Sequence, residues 1–146
     1  MIVLAFALSA VLIAITSLHV YWGIGGIWPG TDAASCARTV VGAKGVQEMP
    51  TPFACFAVAA CLVLVTLWPL ALMGIFATPF PQGGLAGAAV LIAMVFIGRG
   101  LVAFTPWWRR LTPEQPFARL DRLYYSPLCL LIGAGFAILG VSQFPA

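Results

Sequence analysis

This sequence predicts an all-α membrane protein, a bundle of four transmembrane helices with one polar end, and three observations predict it. All seven Lys and Arg and all four Asp and Glu fall within residues 32–48 and 99–122. At 146 residues, 62% hydrophobic and 8% charged, the chain is too short and too apolar to carry an added soluble domain, so residues 1–146 read as a single integral membrane domain. The charge-free stretches, 1–31, 49–98 and 123–146, hold one, two and one spans at about 20 residues each. An even number of crossings separates the two charged windows, so both emerge on the same side. The excess of Lys and Arg there predicts that loops 1 and 3 are cytoplasmic and both termini outside, in the inner (plasma) membrane.

The elements follow in order. The first span, residues 2–22, lacks a basic segment before it and reads as a retained helix rather than a signal peptide. Its Ser9, Thr16, His19 and Gly23 recur at helical spacing as a small, polar stripe for the bundle interior. Gly23, Gly25 and Gly26 end it, and Trp28-Pro29-Gly30 turns into a loop holding a short helix begun by Thr31 or Asp32. The second span, 52–77, takes Thr51 as N-cap and Pro52 as first residue, with a kink expected near Pro69 and a length that implies tilt.

A Pro-Gly turn over 78–84 leads to the third span, 84–104, where Gly83 and Gly87 form a small-xxx-small contact and Arg99 lies about a turn and a half inside the boundary. Thr112-Pro113-Glu114-Gln115 has the form of a capping box with proline at the first helical position, predicting a short cytoplasmic interfacial helix. Ser126-Pro127 opens the fourth span, 126–143, whose Gly133, Ala137 and Gly140 make one small face. Thr-Pro-aromatic recurs evenly at Thr51, Thr78 and Thr105. A span plus its turn accounts for that spacing without an internal repeat.

Several function classes lose support. Cys36, Cys55, Cys61 and Cys129 include no C-x-x-C pair, which argues against a thiol redox centre or zinc knuckle. Cys36 reads as a free thiol in a cytoplasmic loop, the others as small apolar packing residues. No G-x-G-x-x-G, P-loop, catalytic-triad order or H-E-x-x-H is present, so nucleotide binding and metalloprotease chemistry have no motif. No cofactor is expected: a single histidine and no C-x-x-C-H leave haem unsupported. The net charge of +3 belongs to a membrane surface that attracts anionic lipid, and no nucleic-acid partner is expected.

Three segments converge on the charged side: His19-Val20-Tyr21-Trp22-Gly23-Ile24-Gly25-Gly26, Gly98-Arg99-Gly100, and Phe117-Ala118-Arg119-Leu120-Asp121 running to Tyr125-Ser126-Pro127-Leu128-Cys129. Over its full length the chain resembles an uncharacterised family of small bacterial four-helix inner-membrane proteins. That family is a domain of unknown function marked by His-x-Tyr-Trp-x-x-Gly-Gly and Tyr-Ser-Pro-Leu-Cys. The resemblance implies the fold and brings no activity.

The residues themselves suggest roles. Arg99 is an intramembrane cation, hence either a snorkelling side chain or a clamp for a polar head, with Asp121 as its natural bidentate partner. Tyr21, Trp22 and Trp28, interleaved with glycines, are candidate pocket wall, with Tyr124 beside them in ligand binding. Trp107 and Trp108 read as an aromatic belt. His19 is either an interhelical hydrogen-bonding residue or a proton-transfer group, the second with Asp121 or Tyr125 as catalytic partner.

The reading favoured is a site for a membrane lipid or another amphipathic, lipid- or isoprenoid-like molecule, entered from the cytoplasmic leaflet. Whether acid–base chemistry is done on it stays open. The alternatives are an accessory or scaffold subunit of a larger membrane complex, and a small transporter acting as a homo-oligomer.

Overall fold

The computed structural model describes residues 1–144 and is helical, with no strand among them. Its elements are α1 (Ile2–Gly23), α2 (Ala33–Val40), α3 (Pro52–Leu72), α4 (Gln82–Val102), α5 (Pro106–Leu111), α6 (Phe117–Leu120), a π turn (Asp121–Tyr125) and α7 (Ser126–Val141). Four helices are long and apolar enough to cross a membrane: α1, α3, α4 and the continuous run Phe117–Val141. The protein is a multi-pass membrane protein. The expected 141–146 tail is described only to Phe144.

The span boundaries differ from expectation where backbone chemistry intervened. The second span closes at Leu72 rather than near 77, because Gly74 takes a left-handed conformation (φ 67°) and its amide bonds the Ala71 carbonyl. The third starts at Gln82, two residues early, and Gln82 Nε2 donates to the Leu72 carbonyl at 3.0 Å, bracing the turn. Thr112 does not cap a helix. Its hydroxyl donates back to the Trp108 carbonyl, Glu114 reaches across to the Gly45 amide at 2.9 Å, and helix resumes only at Phe117. Thr51 and Thr105 both cap helices in the Thr-Pro setting, whereas Thr78 does not and Pro81 precedes α4.

Helix packing runs in two pairs, α1 along α3 and α4 along α7, which meet each other more sparsely. Lipid supplies no hydrophobic drive between helices, so close approach of small residues matters. The α4–α7 seam shows it: a Cβ on Gly133 would sit 2.7 Å from Ile97 Cγ1 and 3.0 Å from the Ala93 carbonyl oxygen. Ser9 ties α1 to α3 by donating to the Thr66 carbonyl at 2.8 Å, as its place on the polar stripe predicts.

The buried core links the pairs only in the half nearest the α3–α4 turn. Ala5, Leu8 and Leu12 meet Ala71, Leu72, Leu85, Ala89, Ala93, Ile132, Phe136 and Leu139 there.

At the opposite end the loops do the joining. Lys44 donates its amide to the Leu111 carbonyl at 3.0 Å, and Glu114 its amide to the Gly42 carbonyl at 3.3 Å. Gly42 has φ 67° and lies under the Phe117 ring, a position where any side chain would clash and strain the backbone. Both charged windows therefore meet at one end of the bundle. There α2 begins at Asp32, whose carboxylate accepts from the Ser35 amide at 2.7 Å while the Ser35 hydroxyl accepts from the Asp32 amide at 3.0 Å. These bonds hold the Asp32 carboxyl below the ordinary carboxylate range. Cys36, expected to be an accessible loop thiol, belongs to this helix and is fully buried on its inner face against Trp28 and Gly30, and desolvation raises its thiol pKa.

Candidate functional site

Asp121 is the centre of the charged end. It is completely buried, and four side chains converge on it. Arg99 Nη2 donates to Oδ1 at 2.8 Å and the Ser126 hydroxyl to the same oxygen at 3.1 Å. Trp108 Nε1 donates to Oδ2 at 2.9 Å, with Arg109 Nη2 at 3.5 Å. Arg99 thus makes a single-oxygen contact rather than the bidentate pair expected, because the second oxygen is occupied by Trp108.

Local sequence explains this convergence. Thr105 caps α5 by accepting from the Trp108 amide, Pro106 presets the first turn, and this short helix turns Trp108 and Arg109 inward. Arg109 then fastens three segments, donating from Nε to the Ala103 carbonyl at 2.6 Å and from Nη1 to the Ala118 carbonyl at 2.7 Å. In the π turn the Ser126 amide bonds the Asp121 carbonyl five residues back. That wider turn brings the Ser126 hydroxyl to the Asp121 carboxylate.

The cluster carries two guanidinium groups for one carboxylate, in a setting where an unpaired charge would be costly. Arg99 also lies over the Trp108 ring, 5.0 Å from its centroid, a cation–π contact. Its buried Nη1 has no hydrogen-bond partner among the described residues.

The other residues singled out in the sequence lie elsewhere. His19 Nδ1 bonds the Ile15 carbonyl at 2.9 Å, and its ring meets Trp22 edge-on at 5.2 Å. Tyr125 donates to the Thr39 carbonyl at 3.3 Å and packs on Phe117. His19, Asp121 and Tyr125 are therefore each hydrogen-bonded to different partners, none to one another. Trp22 Nε1 donates to the Trp28 carbonyl at 2.8 Å, and the Tyr21 hydroxyl accepts from the Trp28 amide at 3.4 Å, closing the glycine-rich turn on itself. Trp28 and Tyr124 are mostly exposed.

Trp108 and Arg109 were missed as site residues. The signal was available in Thr105-Pro106, the same helix-start form as Thr51-Pro52, which sets both residues one turn in.

Two hollows open at this end. One, about 340 Å³, is lined by Arg109, Gln115, Ala118, Arg119, Arg122 and Leu123. It holds three arginines and no carboxylate in its lining, and it includes none of Arg99, Tyr21, Trp22 or Trp28. The other, about 140 Å³, lies between α1, α2 and α3 and includes His19, Trp22 and Cys55. Among the described residues no group of three or more His, Cys, Asp or Glu side chains is placed to hold a metal ion.

No curated protein and no solved structure matches the chain. Residues 10–136 match a family described as a protein of unknown function, DUF3995. That match takes in two of the membrane helices whole and most of the first and last, with the Asp121 cluster and both hollows, and the chain belongs to this family.

Proposed function

We propose that this bundle binds an amphipathic, lipid-like molecule, its anionic headgroup seated in the arginine-lined hollow and its apolar part running down the helices into the bilayer. The observation that carries the reading is the charge balance of that hollow. Arg109 is held in place by Asp121 and two backbone carbonyls, whereas Arg119 and Arg122 are exposed beside it with no carboxylate in the wall. Ala118 and Leu123 supply the apolar border an acyl or isoprenoid chain would need. The excess of Lys and Arg at this end supports a cytoplasmic orientation in a bacterial inner membrane.

Native mass spectrometry of the protein released from mild detergent tests the reading. Wild type is expected to retain anionic over zwitterionic lipid. The Arg119→Gln, Arg122→Gln pair is expected to lose about tenfold in that preference while its unfolding temperature stays unchanged, since neither side chain takes part in the Asp121 cluster. Equal retention of both lipid classes by wild type would refute it.

A second reading, a homo-oligomer packed through a face of α4, is favoured by one feature of that helix. Gly83 and Gly87 have nothing within 4 Å of where a Cβ would stand, so this small-residue pair is left unused within the bundle and is open to another helix. Gly87→Leu should then leave the isolated chain as stable as wild type and shift its sedimentation from oligomer to monomer. A wild-type protein that sediments as a monomer in every mild detergent would remove this reading.

A further inference from the structure

The hollow between α1, α2 and α3 is independent of the arginine-lined one and has a different chemistry. Its walls are Trp22, Val40, Val41, Met49, Ala54 and Val58, an apolar lining into which one imidazole, that of His19, is set. The other lining side chains with an N–H or S–H are already engaged: Trp22 Nε1 donates to the Trp28 carbonyl, and the Cys55 thiol points to the Pro50 carbonyl at 3.8 Å. The His19 ring is engaged at Nδ1 alone.

That single bond determines what the pocket can recognise. The partner of Nδ1 is the Ile15 carbonyl oxygen, which can only accept, so Nδ1 carries the proton. In the neutral ring Nε2 then bears the lone pair and is an acceptor. A complementary ligand must bring a donor to it and apolar surface everywhere else. The volume of about 140 Å³ is close to that of a cavity of about 150 Å³ that accommodates benzene, so it takes one six-membered ring. Trp22, edge-on to His19, offers that ring an aromatic neighbour.

We infer that this pocket binds a phenolic ring, its O–H donating to His19 Nε2 and its carbon frame filling the space between α1 and α3. The same head occurs on a free monocyclic phenol and on a quinol with an isoprenoid tail.

The test uses the full-length protein in mild detergent, with 4-methylphenol, its O-methyl ether and toluene as probes, titrated by quenching of tryptophan fluorescence. The phenol is expected to bind about tenfold more tightly than the ether, since only it can donate. His19→Phe keeps an aromatic ring in place and is expected to bring phenol, ether and toluene to equal affinity, while Val58→Trp fills the hollow and should abolish binding of all three.

A reduced quinol carrying one isoprene unit distinguishes the sources: tighter binding than 4-methylphenol identifies a membrane quinol, and equal or weaker binding identifies a soluble phenol. Equal affinity of wild type for phenol and ether, or a preference that survives His19→Phe, overturns the inference. If His19→Phe fails to fold, the wild-type comparison of phenol with ether decides alone.

Discussion

Asp121→Asn is expected to be the most destabilising conservative change in the chain, costing about 3–5 kcal/mol in reversible unfolding from detergent micelles, the range for removing one partner from a buried ion pair. The carboxylate is fully buried and accepts from Arg99, Arg109, Trp108 and Ser126. An amide in its place turns one acceptor into a donor that faces donors, and it leaves two guanidinium groups without a counter-charge.

Arg99→Gln should cost less, because the Arg99 side chain is 32% exposed and its loss still leaves Arg109 to balance the carboxylate. The double change Arg99→Gln, Asp121→Asn should cost less than the sum of the two singles. Strict additivity would show that the two groups do not stabilise one another. Trp108→Phe, which removes one donor to the carboxylate together with the five-membered ring, is expected to cost about 1.5–3 kcal/mol, the range for a hydrogen bond to a charged group.

The second large effect belongs to the α4–α7 seam. Gly133→Leu is expected to destabilise the bundle by about 3 kcal/mol, the upper end of the usual cost of overpacking. Two of the three atoms that a Cβ would meet are backbone, the Ala93 oxygen and the Ile97 nitrogen, each at 3.0 Å, so no rotamer change makes room. The helices must separate, and the packing of Phe136 against Phe96, whose rings lie parallel with centroids 6.3 Å apart, is lost with them. Gly87→Leu on the outward face of α4 is the internal control, expected to leave the monomer unaffected. Equal loss of stability in both variants would contradict the seam's geometry.

Much of the fold was legible because membrane helices are written in composition: uninterrupted apolar stretches, Thr-Pro starts and glycine stops mark the spans. The convergence of the two charged windows followed from counting crossings, and the Arg99–Asp121 pair followed from there being one cation inside a span and a carboxylate beside its end. Illegible were features set by neighbours distant in sequence. Glu114 lies inside the expected capping box begun by Thr112, yet a backbone amide of another loop, that of Gly45, takes its carboxylate and no helix starts there. Cys36 looked like a loop thiol because nothing in its own window says that Trp28 and Gly30 fold over it.

The glycine-rich turn after α1 reads as a pocket wall, and of its three aromatics Trp22 does line the hollow between α1, α2 and α3. Tyr21 and Trp28 lie outside that lining and close the turn on itself through their bonds with each other and with Trp22. Gly83 and Gly87 show the converse. Small-residue spacing identifies a face able to pack closely, but which helix it packs against is decided by the rotation of α4, which was not readable in advance.

The π turn sets the angular phase of the last span. Its hydrogen bond reaches one residue further than an α-helical one, so everything before Asp121 is rotated relative to α7 by about the 100° that one residue represents. The half of the helix that carries Arg119 and the approach to the headgroup hollow is thereby indexed separately from the half that carries Gly133 and Phe136. Closing this turn as regular α-helix without removing a residue would leave the seam with α4 in register and swing the carboxylate off Arg99, as a gear slips by one tooth while its shaft keeps turning. The bundle's grip on its own helices and its grip on whatever enters from the charged side are therefore separable properties of a single continuous helix.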